Sequence, residues 1–137
     1  MDSGHGLTLE TARLLVTSAV DAAKQDNLQI SVAVVDASAQ LIAFERMDNA
    51  QLASVKISQD KAISAAAWKC STKGFEESLA SGGLNWRLLS FSYVVPVEGG
   101  LPVFRDQQMV GAIGISGASS EQDGQIAQLA IARTVAP

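Results

Sequence analysis

Two pairs of strand-like stretches in this chain are joined by connections too short to cross a sheet. Residues 28–35 alternate, with Leu28, Ile30, Val32 and Val34 set against Gln29, Ser31, Ala33 and Val35, and the alternation resumes over 41–46 after a turn near Ser38. Residues 101–105 and 108–116 are parted only by a turn at Asp106. A parallel connection needs a dozen residues or more, so each pair must be an antiparallel hairpin. A fifth strand is expected over 90–95, where Phe91, Tyr93, Val94 and Val95 cluster.

Helical periodicity fills the rest. Leu9, Ala12, Val16, Ala19, Val20 and Ala23 recur at the 3.6 spacing behind Thr8, a good N-cap, with Glu10 in the first turn, which predicts a helix over 8–26. Residues 51–69 contain no Gly or Pro and are rich in alanine, and a shorter helix over 73–80 ends at "SGG". Ser119 with Gln122 three residues on fits a capping box opening a last helix over 119–133. The order α-β-β-α-α-β-β-β-α predicts one α+β domain over residues 1–137, a mainly antiparallel five-stranded sheet with helices packed on it.

The C-terminal strand carries a puzzle: Gly111, Gly114 and Gly117 recur every third residue. A dinucleotide fingerprint needs G-x-G-x-x-G between strand and helix, and no G-x-G element is present. Glycine inside an apolar strand marks a bend or the close approach of another backbone, such as the alanine-rich helix. Gly117 differs in standing between strand and helix, where backbone N–H groups can receive a carboxylate.

Composition closes several functional classes. Ten basic against fourteen acidic residues leave a formal charge of −4 with no basic run, so nucleic acid is not an expected partner. Cys70 is the sole cysteine, which rules out an intrachain disulfide and a cysteine zinc cluster; no metal site is expected. "MDSGHG" lacks a basic region followed by an apolar one, and no apolar run is long enough for a membrane span, so the expected location is cytoplasmic. "SQDK" at 58–61 matches S-x-x-K, but the partner motifs S-D-N and K-T-G are missing.

Candidate site residues each carry two readings. Ser54, Ser58 and Lys61 stand at i, i+4 and i+7 on one helix face, a polar stripe that either lines a pocket or faces water, the default for lysine. Arg46 ends the alternation Ile42, Phe44, Arg46 and is followed by Asp48. Its guanidinium is either a carboxylate clamp beside an apolar face or the partner of Asp48 in a structural ion pair.

The segments "LTLETA", "ISVAVVDASAQLIAFERMD", "ISQDKAISAA" and "EGGLPVFRDQQMVGAIGISGASSEQD", in that order, resemble the GlcG/HbpS family of haem-binding or haem-degrading domains over nearly the whole chain. "ISQDKA" and "STKGFEE" are most similar to its GlcG branch. Two turns depart from the family pattern, with Ser38-Ala39 and Asp106-Gln107 where glycines are usual. The resemblance implies an α+β fold, self-association as a dimer or higher oligomer, and a small-molecule ligand, with haem the leading cofactor. Small residues along 51–69 suit close subunit contact.

Haem iron accepts His, Met, Cys or Tyr, and here the stock is His5, Met47, Met109, Cys70 and Tyr93. His5, directly ahead of the first helix, is either a ligand or a surface residue of a loose terminus. Ser58 and Gly117 are the other cofactor-binding candidates. The rival expectation is a cofactor-free lyase or isomerase acting on a small carboxylate or carbonyl metabolite. There Arg46 clamps the carboxylate, Lys61 or the Gly117 backbone stabilises negative charge, and Glu98 or Asp48 moves the proton; the family arrangement puts the Glu98 loop near the Gly117 corner. A non-catalytic assembly subunit is the third reading.

Overall fold

The computed structural model of the chain describes residues 6–135. Helix α1 (Leu9–Gln25) leads into strands β1 (Ser31–Asp36) and β2 (Leu41–Arg46). Helices α2 (Leu52–Trp68) and α3 (Thr72–Ser81) and a 3-10 helix (Gly83–Ser90) follow, then β3 (Gly100–Arg105), β4 (Gln108–Ser116) and α4 (Ser120–Thr134). The strands form one sheet in the order β2-β1-β4-β3, antiparallel at every step.

The local signals act as their chemistry dictates. The Thr8 hydroxyl accepts the N–H of Thr11 at the start of α1. At α4 the Ser119 hydroxyl accepts the Gln122 backbone N–H while the Gln122 side-chain Oε1 accepts the Ser119 N–H, closing a capping box.

The sheet has four strands rather than the expected five, because residues 90–95 do not join it. Ser90 ends the 3-10 helix, Phe91 rests on the ring of Trp68 with centroids 6.0 Å apart, and the Val95 N–H donates to the Ser64 hydroxyl on α2 at 3.2 Å. Tethering to α2 removes the segment from the sheet edge, and tertiary contacts override its β propensity.

The two sheet faces are covered differently. On one, Leu15, Val16 and Ala19 of α1 and Ile126, Ala127 and Ala130 of α4 bury Val32, Val34, Val110, Ile113 and Ile115. On the other, Ala62, Ala65 and Ala66 of α2 meet Ala33, Val35, Met109 and Ala112. The small contacts on that second face reflect how near α2 lies. A Cβ at Gly114 would meet the Ser58 carbonyl and stand 2.6 Å from the Ala62 nitrogen, and one at Gly111 would meet the Val35 carbonyl and Leu7. Both in-strand glycines therefore serve close packing.

A bulge corrects the expectation that Ile42, Phe44 and Arg46 share a side. The β1–β2 register slips between Val34 and Val35, leaving Ile42 as the extra residue. Two consecutive residues then face one way. Ile42 and Ala43 pack with the α1/α4 core, and Phe44 packs with the α2 core.

The hairpin turns hold left-handed residues that lack glycine's freedom. Asp106 and Gln107 have φ of 53° and 66°, and Ala39 has φ of 63°. A left-handed residue bearing a Cβ costs about 1–2 kcal/mol. Gln107→Gly is expected to gain about 1 kcal/mol after glycine's greater unfolded-state entropy is deducted, read as a higher urea midpoint. Gly114→Ala is expected to lose roughly 1–3 kcal/mol through overpacking against α2; an unchanged midpoint would show that α2 can move away freely.

Candidate functional site

The polar centre of the molecule lies at the end of β4. Lys61 on α2 is buried, and its Nζ donates to the Ile115 carbonyl at 2.8 Å and to Asp123 Oδ2 on α4 at 3.3 Å; both side chains are 2% exposed. The other Asp123 oxygen accepts the Ala118 N–H at 3.1 Å. Burial lowers the Lys61 pKa, opposed by Asp123, Glu76 and Glu98, and burial raises the Asp123 pKa, opposed by Lys61. The pair thus joins the helix layers on opposite faces of the sheet at a net desolvation cost.

The "EGG" loop wraps this centre. At Gly99, where φ is +136°, a Cβ would stand 2.7 Å from Lys61 Nζ, and at Gly100 one would stand 2.8 Å from Thr72 Cγ2. The Thr72 hydroxyl accepts the Gly100 N–H at 2.9 Å. The Glu98 N–H donates to Glu76 Oε1 at 2.9 Å, and its carboxylate lies against Gly124, where a Cβ would displace it. The Glu98 side chain borders a polar cleft of about 200 Å³ with Lys73, Glu121 and Gln125. Lys61 stays behind Gly99 and does not line that cleft.

The other expected residues lie apart. Arg46 and Asp48 border a separate depression at the end of β2 with Lys24 and Glu45, and no ion pair joins them among the described residues. The Ser54–Ser58–Lys61 stripe faces the sheet rather than water: the Ser54 and Ser31 hydroxyls are 2.8 Å apart, and Ser58 donates to the Val55 carbonyl at 3.1 Å. Gly117, with φ of +128°, allows the strand-to-helix corner to approach the Gln29 carbonyl, 2.6 Å from a Cβ built there. The neighbouring N–H groups of Ala118, Ser119 and Gln122 are taken by Asp123, Gln122 and Ser119. His5 lies outside the described residues.

A larger groove, about 640 Å³, opens between the β1–β2 turn and the C-terminal half of α2. Leu41, Ile63, Ala66 and Ala67 give it apolar walls, Lys69 stands at its rim and Tyr93 closes one side. Among the soft or aromatic donors, Met109 is packed in the core and Met47 Sδ accepts the Ile30 N–H at 3.5 Å. Cys70 is half-buried and its thiol is pushed up by burial. Tyr93 is 65% exposed on the groove wall. Among the described residues, no helix is long and apolar enough to cross a membrane, and no group of three or more His, Cys, Asp or Glu is placed to hold a metal ion.

The pairing of Asp123 with Lys61 and the groove escaped sequence reasoning. Asp123 reads as an ordinary acidic residue in the first turn of a helix, 62 positions from its partner, and no periodicity links them.

Lys61→Met is expected to cost about 3–5 kcal/mol by leaving the Asp123 carboxylate buried without its cation. Lys61→Met/Asp123→Asn should recover most of that loss in a denaturant titration, since the amide keeps an acceptor for Ala118. The pH sign follows from the two shifts. Between the lowered Lys61 value and the ordinary lysine value the unfolded chain binds more protons, so stability rises with pH there. Between the ordinary aspartate value and the raised Asp123 value the folded chain binds more, so stability rises as pH falls there. The double variant should flatten both slopes, and unchanged slopes would assign them to other groups.

Comparison with known proteins gives this geometry a context. The family described as haem degrading protein HbpS-like matches residues 7–132. Protein GlcG of Escherichia coli K12 is 35% identical over 110 residues, covering 80% of this chain and 81% of GlcG. The crystal structure of Klebsiella pneumoniae protein ORFY superposes with a TM-score of 0.90 at 30% identity, over 100% of this chain and 98% of that one. The PduOC:heme complex superposes with a TM-score of 0.84 at 32% identity, over 93% of this chain and 94% of that one. With nearly its whole length matched, the chain belongs to the GlcG/HbpS family of HbpS-like proteins.

Proposed function

We propose that this chain binds a small molecule, and that the molecule is haem, held in the groove between the β1–β2 turn and α2. The observation that carries this reading is the apolar groove itself, in a chain whose fold matches a protein solved with haem bound. Its volume lies within the range of about 300–1,000 Å³ usual for small-molecule sites. The small side chains of Ala66 and Ala67 leave room for a planar macrocycle, and Lys69 at the groove suits a propionate carboxylate. Bound haem supplies one-electron and oxygen chemistry, while the protein contributes binding, orientation and water exclusion.

His5 keeps its place as a candidate ligand. The Leu7 N–H donates to the Val110 carbonyl at 3.2 Å, and Gly111 beside it pairs with Asp36, where the β1–β2 turn begins. Ser58 and Gly117 do not line the groove. The acid–base enzyme reading keeps Arg46 and Asp48 around one depression and Glu98 at a second cleft, with Lys61 behind Gly99, and the apolar groove favours haem binding over it.

The chain is also proposed to self-associate through the 3-10 helix. Leu84, Trp86 and Leu89 are each more than 60% exposed and Phe91 is 50% exposed. Four exposed large apolar side chains within eight residues make this segment the candidate contact surface. A second copy of the chain is its occupant.

Titrating ferric haem into the full chain is expected to produce a saturable Soret shift, and unchanged spectra at tens of micromolar protein would end the haem reading. Light scattering should give a dimer or larger species, and Trp86→Glu/Leu89→Glu should reduce it to a monomer. A wild-type monomer at micromolar concentration would refute the self-association.

A further inference from the structure

Resting on the haem reading, we infer that Tyr93 is the residue of this chain that ligates the haem iron. Tyr93 has φ of +65°, a conformation rarely adopted by a bulky side chain. Such strain persists only where the surroundings impose it. Here they do so from both sides. Two residues before, Phe91 is clamped on Trp68, and two residues after, Val95 is tied through its N–H to Ser64. Both anchors belong to α2, so the segment is held along that helix on either side of Tyr93.

Tyr93 lines the groove together with residues of the β1–β2 turn. The ring remains 65% exposed, and among the described residues its hydroxyl makes no hydrogen bond. An exposed aromatic residue held in a left-handed backbone at the groove leaves its phenol oxygen accessible to a ligand there. A phenol oxygen is an accepted axial ligand of haem iron. Of the described alternatives, Met109 is packed in the core, Met47 accepts the Ile30 N–H, and Cys70 does not line the groove.

The step is a ligand exchange without electron transfer. The phenol O–H bond breaks and its proton passes to solvent, while the oxygen takes a coordination position on ferric iron that water vacates. Lys69, at the same rim, offsets the negative charge that the carboxylates of haem bring to the groove.

The test uses the full chain with ferric haem, followed by visible absorption and resonance Raman spectroscopy. The wild-type complex is expected to show a phenolate-to-iron charge-transfer band and an iron–phenolate stretch. Tyr93→Phe should abolish both and weaken binding by roughly 10–100-fold, a range seen even for residues that only support a metal ligand. Tyr93→His should restore ligation with a different spectrum. Ala67→Trp fills the groove without removing the phenol and should block binding. If Ala67→Trp leaves binding intact, or the wild type binds no haem, the groove reading fails and the Tyr93 assignment with it. If Ala67→Trp blocks binding but Tyr93→Phe keeps the wild-type spectrum, or His5→Ala alone removes the axial ligand signature, the Tyr93 assignment alone is overturned.

Discussion

Helix α2 rests almost on the backbone of the sheet, and much of the molecule depends on that closeness. The residues beneath it are Ala33, Ala112 and Gly114, and the residues it presents are Ser58, Ala62, Ala65 and Ala66. Small side chains forgo apolar area but allow near-contact of two backbones, where dispersion is densest. The opposite face carries the large aliphatic residues and two helices, so hydrophobic burial is concentrated there and geometric precision here. Because α2 cannot shift without opening a gap or a clash, everything projecting from it is held in place.

Lys61 is the main beneficiary. From α2 it reaches past the end of β4 to Asp123 on the opposite layer, and Gly99 and Gly100 are required because no side chain fits between that amine, Thr72 and the passing loop. Two charges removed from water do not make a strong stabilising contact. What the pair supplies is an alignment of the two helix layers and a cap for the α4 corner through Ala118. The buried Lys61 amine thereby ties α2 to α4 across the end of the sheet.

The α2 surface that packs on the sheet ends near Ala66, and beyond it the helix leaves the β1–β2 turn behind as one wall of an apolar groove. The segment after the 3-10 helix is pinned to α2 at Trp68 and Ser64. Groove, strained Tyr93 and exposed apolar strip therefore all trace to one helix and the residues tied to it. Ligand binding and self-association would be neighbours on this surface, so occupancy of one is positioned to influence the other.

Elements governed by short-range chemistry were legible in advance. Thr8, Ser119 and Gln122 cap helices through groups within three residues, and the turns at Ser38 and Asp106 leave no geometry but a hairpin. The in-strand glycines pointed to a close neighbour because a missing side chain inside a strand has few other uses. Contacts between distant positions left no such trace. Residues 90–95 have strand-forming composition, yet a single hydroxyl on α2 and one aromatic ring hold them off the sheet edge. A one-residue bulge sends Ile42 to the opposite core from Phe44. Lys61 on an exposed-looking stripe is buried because its partner lies 62 residues on, and Tyr93 acquires its place beside the groove only when α2, the hairpin turn and the tether are assembled together. Period and capping are properties of neighbouring residues, whereas pairing across the fold exists only once the chain has closed on itself.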